Sequence, residues 1–356
     1  MSHLVSIISD QAVPNLLFIR QFATEDSEYF FVTTQKMEDQ QSTDNLIKAL
    51  KLPKKKCHKI LIDANDAILI NQDLNGFRFP KETEYLVNIT GGNKLMSQMV
   101  FSHFQQLNAK MYYAPIDSDY YQQVYPTIEK VKKEKNIKTS LDDYLRAYGY
   151  VAKSSLEYYE GNPSPQSLLH KVIKLGHPGK VDSIKKSIQK HYNEADRKYL
   201  SGEWFELYCY QFFKEAFDLD ESQIACSVGI KRADSNTSFE HDNEFDVMFV
   251  YQSDLYVFEC KVYPSGKLKM GLISNPMFKL ASLTQNFGLK CKKYLAVIGE
   301  FPTDPKSSQQ LDNIKQNLGI AKVLDIAAFS NYSGKDILRD DNEFKISQLL
   351  EKFNKT

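Results

Sequence analysis

The chain has 356 residues, more than one ordinary core holds, so two or three domains are expected. Lysine plus arginine equals aspartate plus glutamate at 45 each, which excludes a histone-like basic coat but leaves room for a local nucleic-acid groove. Five scattered cysteines offer no zinc site and suit a reducing compartment; no signal peptide or bilayer-length apolar run stands out, so a soluble, cytoplasmic protein with no membrane partner is expected.

Up to Ala114 the chain alternates between strand and helix periods. Leu4–Ser9 reads as a buried strand, and Pro14 opens a helix over Asn15–Phe22. Strands follow at Tyr29–Thr34, Lys59–Asp63, Tyr85–Thr90 and Lys110–Ala114, with helices at Ser42–Leu50 and Lys94–Leu107. Such alternation predicts an α/β domain with a mostly parallel, doubly wound, Rossmann-like sheet, taken here as residues 1–138. Residues 139–198 read as a helical connector, broken at Gly161–Pro165 and His177–Gly179. Its basic run (Lys171, Lys174, Lys180, Lys185, Lys186, Lys190) reads as a solvated helix face before a nucleic-acid contact.

Residues 199–356 form a second α/β unit. Gly202–Phe217 is a helix apolar nearly all round and therefore buried. Glu244–Tyr251 and Leu255–Tyr263 pair as a hairpin, and Asn275-Pro276 reads as N-cap and first turn of a helix over Met277–Phe287, stopped by Gly288. A strand at Lys293–Ile298, a helix at Ser307–Leu318 and a strand at Lys322–Ile326 complete it.

The hairpin carries three charges among apolar neighbours: Asp246, Glu259 and Lys261. Charges in such strands are costly unless paired or bound to a metal. Glu259 and Lys261, two apart, share a face. An even-length turn around Gln252-Ser253 sets Asp246 opposite Glu259 with Cβ atoms about 5 Å apart; an odd one throws it to the other face. Two carboxylates that close suit a divalent cation with oxygen ligands, Mg²⁺ or Mn²⁺, able to polarise a phosphodiester and activate water. Lys261 then positions that water or stabilises charge on the phosphate. Glu206, in the buried helix, is placed to complete the shell. The bland alternative is an internal salt bridge. His241, in the polar stretch Ser238–Asn243, reads as exposed rather than as a base.

In the first domain, Thr90-Gly91-Gly92-Asn93-Lys94 joins a buried strand to a helix. Glycines let a ligand approach the backbone, and a helix N-terminus favours anions. Ser9-Asp10-Gln11 follows the first strand and lines the same edge, where doubly wound sheets bind ligands. Neither GxGxxG nor a Walker A pattern is present, which speaks against dinucleotide binding and ATP hydrolysis.

Glu206, Asp246 and Glu259-Cys260-Lys261 together resemble the PD-(D/E)xK endonuclease core. Phe278-Lys279-Leu280 with Gly288 resembles the branch of it fused to CARF domains in type III CRISPR defence, and brings Lys279 towards the site. Ser9–Asn15 with Thr90–Lys94 looks like the CARF ligand-binding domain. This resemblance implies metal ligation by Asp246, Glu259, Glu206 and the Cys260 carbonyl, and catalysis by Glu206, Asp246, Glu259 and Lys261. It implies that Ser9, Asp10, Gln11, Asn15, Thr90, Gly91, Gly92, Asn93 and Lys94 bind cyclic oligoadenylate across a homodimer axis, cyclic tetra-adenylate ahead of cyclic hexa-adenylate. The expected activity is a metal-dependent endonuclease, switched on by that messenger, acting on single-stranded DNA or RNA or nicking duplex DNA. The rivals are a nucleotide-sensing regulator that binds nucleic acid without cutting, and a constitutive restriction-type DNase.

Overall fold

A computed structural model describes the chain except residues 1, 82, 108, 117, 135–136, 155–163, 175–197, 236–243, 326–328 and 330–356. Lys180, Lys185, Lys186, Lys190 and His241, and the breaks at 161–163 and 177–179, lie outside the described residues. The chain divides into two units: Met1–Val151 with Lys231–Asn236 and Asn286–Leu289, and the remainder.

The first unit runs β1 (Ser2–Ile7), α1 (Val13–Phe22), β2 (Glu28–Thr33), α2 (Gln35–Asp39), α3 (Ser42–Leu50), β3 (Cys57–Leu61), α4 (Ala67–Gly76), β4 (Glu84–Asn88), α5 (Lys94–Gln105), β5 (Lys110–Tyr113), β6 (Tyr120–Tyr125), β7 (Glu129–Lys132) and α6 (Leu141–Ala147). Its sheet has the order β3-β2-β1-β4-β5-β6-β7, parallel through β5 and antiparallel beyond. Helices cover both faces. On one, Leu4 and Phe31 pack with Leu16, Phe18 and Leu46; on the other, Val5, Ile7 and Val87 pack with Leu74, Val100 and Phe104. A central strand covered on both faces must be apolar almost throughout, as β1 is. The expected doubly wound domain is therefore present. Because β2 and β3 lie on one side of β1 and β4 and β5 on the other, the order reverses between β1 and β4, and the strand C-termini open a crevice there.

Two features escape the periodicity. Helix α4 buries only Ile70 and Leu74 and leaves Ile68 and Leu69 exposed, so its apolar face is thin. The hairpin β6–β7 is polar on the edge of the sheet, with glutamines at 122 and 123 and lysines at 130 and 132.

The stretch expected as a helical connector is not helical throughout. It holds α6, tied to α1 by Arg20, whose guanidinium lies 2.6 Å from Asp143 and donates to Thr139 Oγ1. It also holds β8 (Tyr150–Ser154), an edge strand of the second sheet, and α7 (Pro165–Lys174). At five residues with a polar end, β8 is too short for its alternation to stand out.

The second unit continues with α8 (Trp204–Phe217), β9 (Ile224–Arg232), β10 (Glu244–Tyr251), β11 (Asp254–Lys267), α9 (Met270–Leu283), β12 (Cys291–Glu300), α10 (Pro305–Leu318) and β13 (Ile320–Leu324). Its sheet runs β13-β12-β11-β10-β9-β8, with β9, β10 and β11 antiparallel and β11, β12 and β13 parallel. Helix α8 buries Trp204, Phe205, Cys209 and Phe213 against Val247, Phe249, Phe258 and Cys260. The Phe213 and Phe258 rings lie 4.5 Å apart, and Phe258 stacks on Tyr294 at 4.8 Å. Among the described residues no helix is long and apolar enough to cross a membrane.

Helix α9 begins at Met270, not at Met277, so Pro276 stands inside it. A proline there lacks the N–H that the Leu272 carbonyl, four residues back, would accept. Tyr263 of β11 fills that vacancy, its hydroxyl donating to Leu272 O at 2.6 Å. The helix survives its proline because a neighbouring strand supplies the missing donor.

Candidate active site

The parity of one turn decides whether the three charges of the hairpin meet. β10 and β11 are joined by two residues, Gln252 and Ser253, with φ of 50° and 67°. Two successive positive φ values make the turn whose twist matches a hairpin. The register pairs Tyr251 with Asp254 and Val247 with Phe258. Carried one residue further, it sets Asp246 opposite Glu259, as the even-turn reading requires. Side chains alternate, so Phe258 and Cys260 face α8, while Glu259 and Lys261 take the other face with Asp246.

There the Lys261 ammonium is ringed by oxygen: 2.8 Å from Glu259 Oε1, 3.3 Å from Asp246 Oδ2 and 3.1 Å from the Cys260 carbonyl, to which it donates. The Cys260 N–H also donates to Asp246 Oδ2 at 2.6 Å. Asp246 and Glu259 are both buried. Burial, then the charge of Glu259, pushes the Asp246 carboxyl above its ordinary range despite Lys261 and the Cys260 N–H. Burial also works to lower the Lys261 pKa, but the charges of Asp246 and Glu259 outweigh it and hold it above that of an ordinary lysine.

Glu206 comes from α8, on the opposite face of the sheet, and accepts a 3.5 Å hydrogen bond from Ser227. Its carboxyl is likewise raised, by burial first and by Asp246 second. A half-buried carboxylate this unfavourable to ionise, feeling a second one, is poised for a cation. Two other cysteines, Cys209 and Cys226, are buried in the α8 core and belong to packing. On α9, Lys279 lies 3.6 Å from Glu259 Oε1.

Among the described residues no three acidic, histidine or cysteine side chains are gathered as a ready-made metal cage. The donor set fits a hard cation nonetheless. Two carboxylate oxygens and one backbone carbonyl converge on a single point, and the Lys261 ammonium stands at it.

The loops after β1 and β4 flank the crevice of the first unit. Their polar side chains are mostly engaged with one another. Asn15 is buried; its amide donates to Ile7 O at 2.9 Å and accepts from Asn88 at 2.8 Å. Asn88 Oδ1 in turn accepts from the Thr90 N–H and hydroxyl, and Thr90 Oγ1 accepts from the Ala114 N–H. Asn93 caps α5, accepting from the Met96 N–H at 2.9 Å and donating to Ala64 O at 2.7 Å. A Cβ on Gly91 would collide with the Ile7 carbonyl oxygen, and Gly92 has φ of +73°, so both glycines are required by the close packing of the two loops. Ser9 accepts from the Gln11 N–H, and Gln11 Oε1 accepts from the Leu289 N–H at 2.9 Å. Asp10 faces Lys36 at 3.6 Å, and Lys94 is exposed in the first turn of α5. Asn15, Asn88 and Thr90 thus shape the edge from within; Asp10, Gly92, Asn93 and Lys94 are its exposed members.

Comparison with known proteins follows the same division. A family model described as "Card1 CARF domain" matches residues 3–144, and one described as "Card1-like, endonuclease domain" matches residues 193–323. No curated protein matches the chain. Among solved structures, Can2 from Sulfobacillus thermosulfidooxidans in complex with cyclic tetra-adenylate is similar with a TM-score of 0.67 at 16% identity, over 97% of this chain and 99% of that one. Protein VC1899 from Vibrio cholerae is similar with a TM-score of 0.67 at 16% identity, over 95% and 96%. A type III CRISPR defence DNA nuclease activated by cyclic oligoadenylate gives 0.55 at 15% identity, over 85% of this chain but 47% of that one. At such identities the structural likeness shows a shared fold.

Proposed function

Both domains of the chain belong to the Card1 family, a CARF domain followed by an endonuclease domain, and from that premise we propose a metal-dependent endonuclease switched on by cyclic oligoadenylate in type III CRISPR defence. The observation that carries this reading is the convergence of Asp246, Glu259 and the Cys260 carbonyl on one cation position, occupied by the Lys261 ammonium. Mn²⁺ or Mg²⁺ held there by these oxygens, with Glu206 as a further ligand, would supply Lewis acidity towards a phosphodiester. Lys261, with its ammonium beside these oxygens, would hold the attacking water or the phosphate oxygen on which charge builds. Glu206 and Asp246, both held above the ordinary carboxylate range by burial, would ionise more readily with a cation beside them.

The substrate of this reading is single-stranded DNA or RNA, with nicking of duplex DNA as a lesser activity. Cyclic tetra-adenylate, the ligand of the Can2 complex, is the first choice of activator. It would lie on the edge formed by Ser9–Gln11 and Thr90–Lys94, between two copies of the chain in a cytoplasmic homodimer, so that one effector governs two sites.

Cleavage of labelled single-stranded DNA and RNA by the full chain, with Mn²⁺ or Mg²⁺ and with or without cyclic tetra- or hexa-adenylate, tests this. Cutting only with both metal and effector is expected, and a chelator should end it. No cutting under any condition would instead make the chain a binding regulator. Equal cutting without effector would make it a constitutive DNase.

A further inference from the structure

Glu259 has a second cation beside it, and the two lysines are held differently. Lys261 is one-third exposed and meets three oxygens at 2.8 to 3.3 Å. Lys279 is 45% exposed, stands 3.6 Å from Glu259 Oε1, and donates a long 3.4 Å hydrogen bond to Glu244 O. Its backbone, by contrast, is fixed. Lys279 follows Pro276 on α9, where the Tyr263 hydroxyl holds the Leu272 carbonyl at 2.6 Å; Tyr263 is two residues beyond Lys261 on β11 and shares its face. The buried side chains Ile273, Met277 and Leu280 anchor the same helix. A helix anchored by these contacts thus presents a loosely tied ammonium to Glu259.

We propose that Lys279 is a substrate-binding residue that contacts a backbone phosphate of the nucleic-acid strand once the metal is in place. The inference rests on the reading of Asp246 and Glu259 as metal ligands. Without metal, Lys279 serves as counter-ion to Glu259, 3.6 Å away. A divalent cation takes over the charge of Glu259. Lys279 is then the cation with the weakest remaining ties and the greatest exposure, and the anion still unsatisfied is a substrate phosphate. The metal would therefore gate strand binding as well as the chemistry, by releasing Lys279 from Glu259.

The test is binding of a fluorescent single-stranded oligonucleotide to the full chain, loaded with cyclic tetra-adenylate, at several salt concentrations, with Ca²⁺ as the oxygen-seeking ion and without divalent ion. With Ca²⁺, Lys279→Ala should weaken binding by roughly tenfold and lower the log–log salt slope by about 0.7, as for one single-strand phosphate contact. Lys279→Arg should keep most of the affinity and the slope. Without divalent ion, Lys279→Ala and the unaltered chain should bind alike. A Lys279→Ala chain that retains both affinity and slope in Ca²⁺ overturns the proposal, even if it cuts slowly. So does a loss that Lys279→Arg fails to restore while cyclic tetra-adenylate binding is unchanged. If the unaltered chain cuts normally, those outcomes remove only this role of Lys279. If it neither binds nor cuts with any ion, the nuclease reading falls and the proposal with it.

Discussion

The two candidate ligand edges are built on opposite plans. At the crevice of the CARF domain the polar side chains are largely paired among themselves: Asn15 with Asn88, Asn88 with Thr90, Asn93 with Met96 and Ala64. What such an edge offers is backbone, glycine, a helix N-terminus and the exposed side chains of Asp10, Asn93 and Lys94, a shape that would receive an anionic ligand without titrating. At the endonuclease hairpin the side chains are charged, crowded and mutually unfavourable, and two of three carboxyls are pushed up by burial. Substitutions at the first edge should act through geometry and stability. Those at the second should act through charge, with little effect on the fold.

Lys261→Ala is the largest effect expected and breaks the comparison outright if it behaves like a fold variant. It should reduce cleavage on the order of a thousandfold, comparable with removal of a principal transition-state donor. Binding of cyclic tetra-adenylate should remain unchanged. Single-turnover cleavage and calorimetric effector binding on one preparation decide it; persistent cutting would remove Lys261 from the chemistry.

Gly91→Ala sits at the other extreme of the same contrast. Its methyl group would meet the Ile7 carbonyl oxygen, which belongs to the strand end and cannot step aside without shifting β1. A cost of about 1–3 kcal/mol is expected, as for overpacking elsewhere. It should appear as a lower Tm and weaker effector binding together. Weakened binding at an unchanged Tm would show that Gly91 matters as a ligand surface and not as packing.

A smaller effect separates the edges by pH. Glu206 and Asp246 have folded-state pKa values raised above the ordinary carboxylate range. Between the ordinary and the raised values the metal-free folded chain therefore binds more protons than the unfolded chain, so these groups' contribution to stability falls as pH rises. A cation that takes up their charge cancels that loss. The rise in Tm caused by Mn²⁺ should accordingly be larger at pH 8 than at pH 6, and Glu206→Gln should flatten the difference. Equal metal stabilisation at both pH values would remove Glu206 from the ligand set.

How far the sequence speaks follows the same physics. The hairpin was legible because Phe245, Val247, Phe249 and Phe258 make its charged residues conspicuous, and because turn parity is a yes-or-no matter. The crevice was legible from strand–helix alternation. Strand β8 and the hairpin β6–β7 were not, since short or polar strands near a sheet edge carry weak alternation; β9 went unread although its nine residues alternate in burial. The start of α9 was misplaced because Pro276 reads locally as a first-turn residue, and only the tertiary partner Tyr263 lets it sit inside. Charged residues at the site announce themselves by their cost. Asn15 and Asn93 do not, because whether an amide faces a ligand or a neighbouring carbonyl is settled by partners far away in sequence.

Asn93 gives the finest test of that last distinction. Its side chain makes two bonds at once, accepting from the Met96 N–H as the cap of α5 and donating to Ala64 O. Threonine keeps an acceptor at the cap and loses the donor to Ala64, so Asn93→Thr should cost roughly 0.5–1 kcal/mol, the net worth of one hydrogen bond. Alanine loses both, and Asn93→Ala should cost about 1–2 kcal/mol. If the residue only shapes the edge, cyclic tetra-adenylate affinity should fall in step with stability, less for threonine than for alanine. If instead the ligand takes one of these bonds for itself, Asn93→Thr should change the relative affinity for tetra- and hexa-adenylate while leaving Tm almost untouched. Isothermal titration with both rings, beside thermal unfolding, reads the two possibilities apart, and the second outcome would move Asn93 from the scaffold of the edge to its recognition surface.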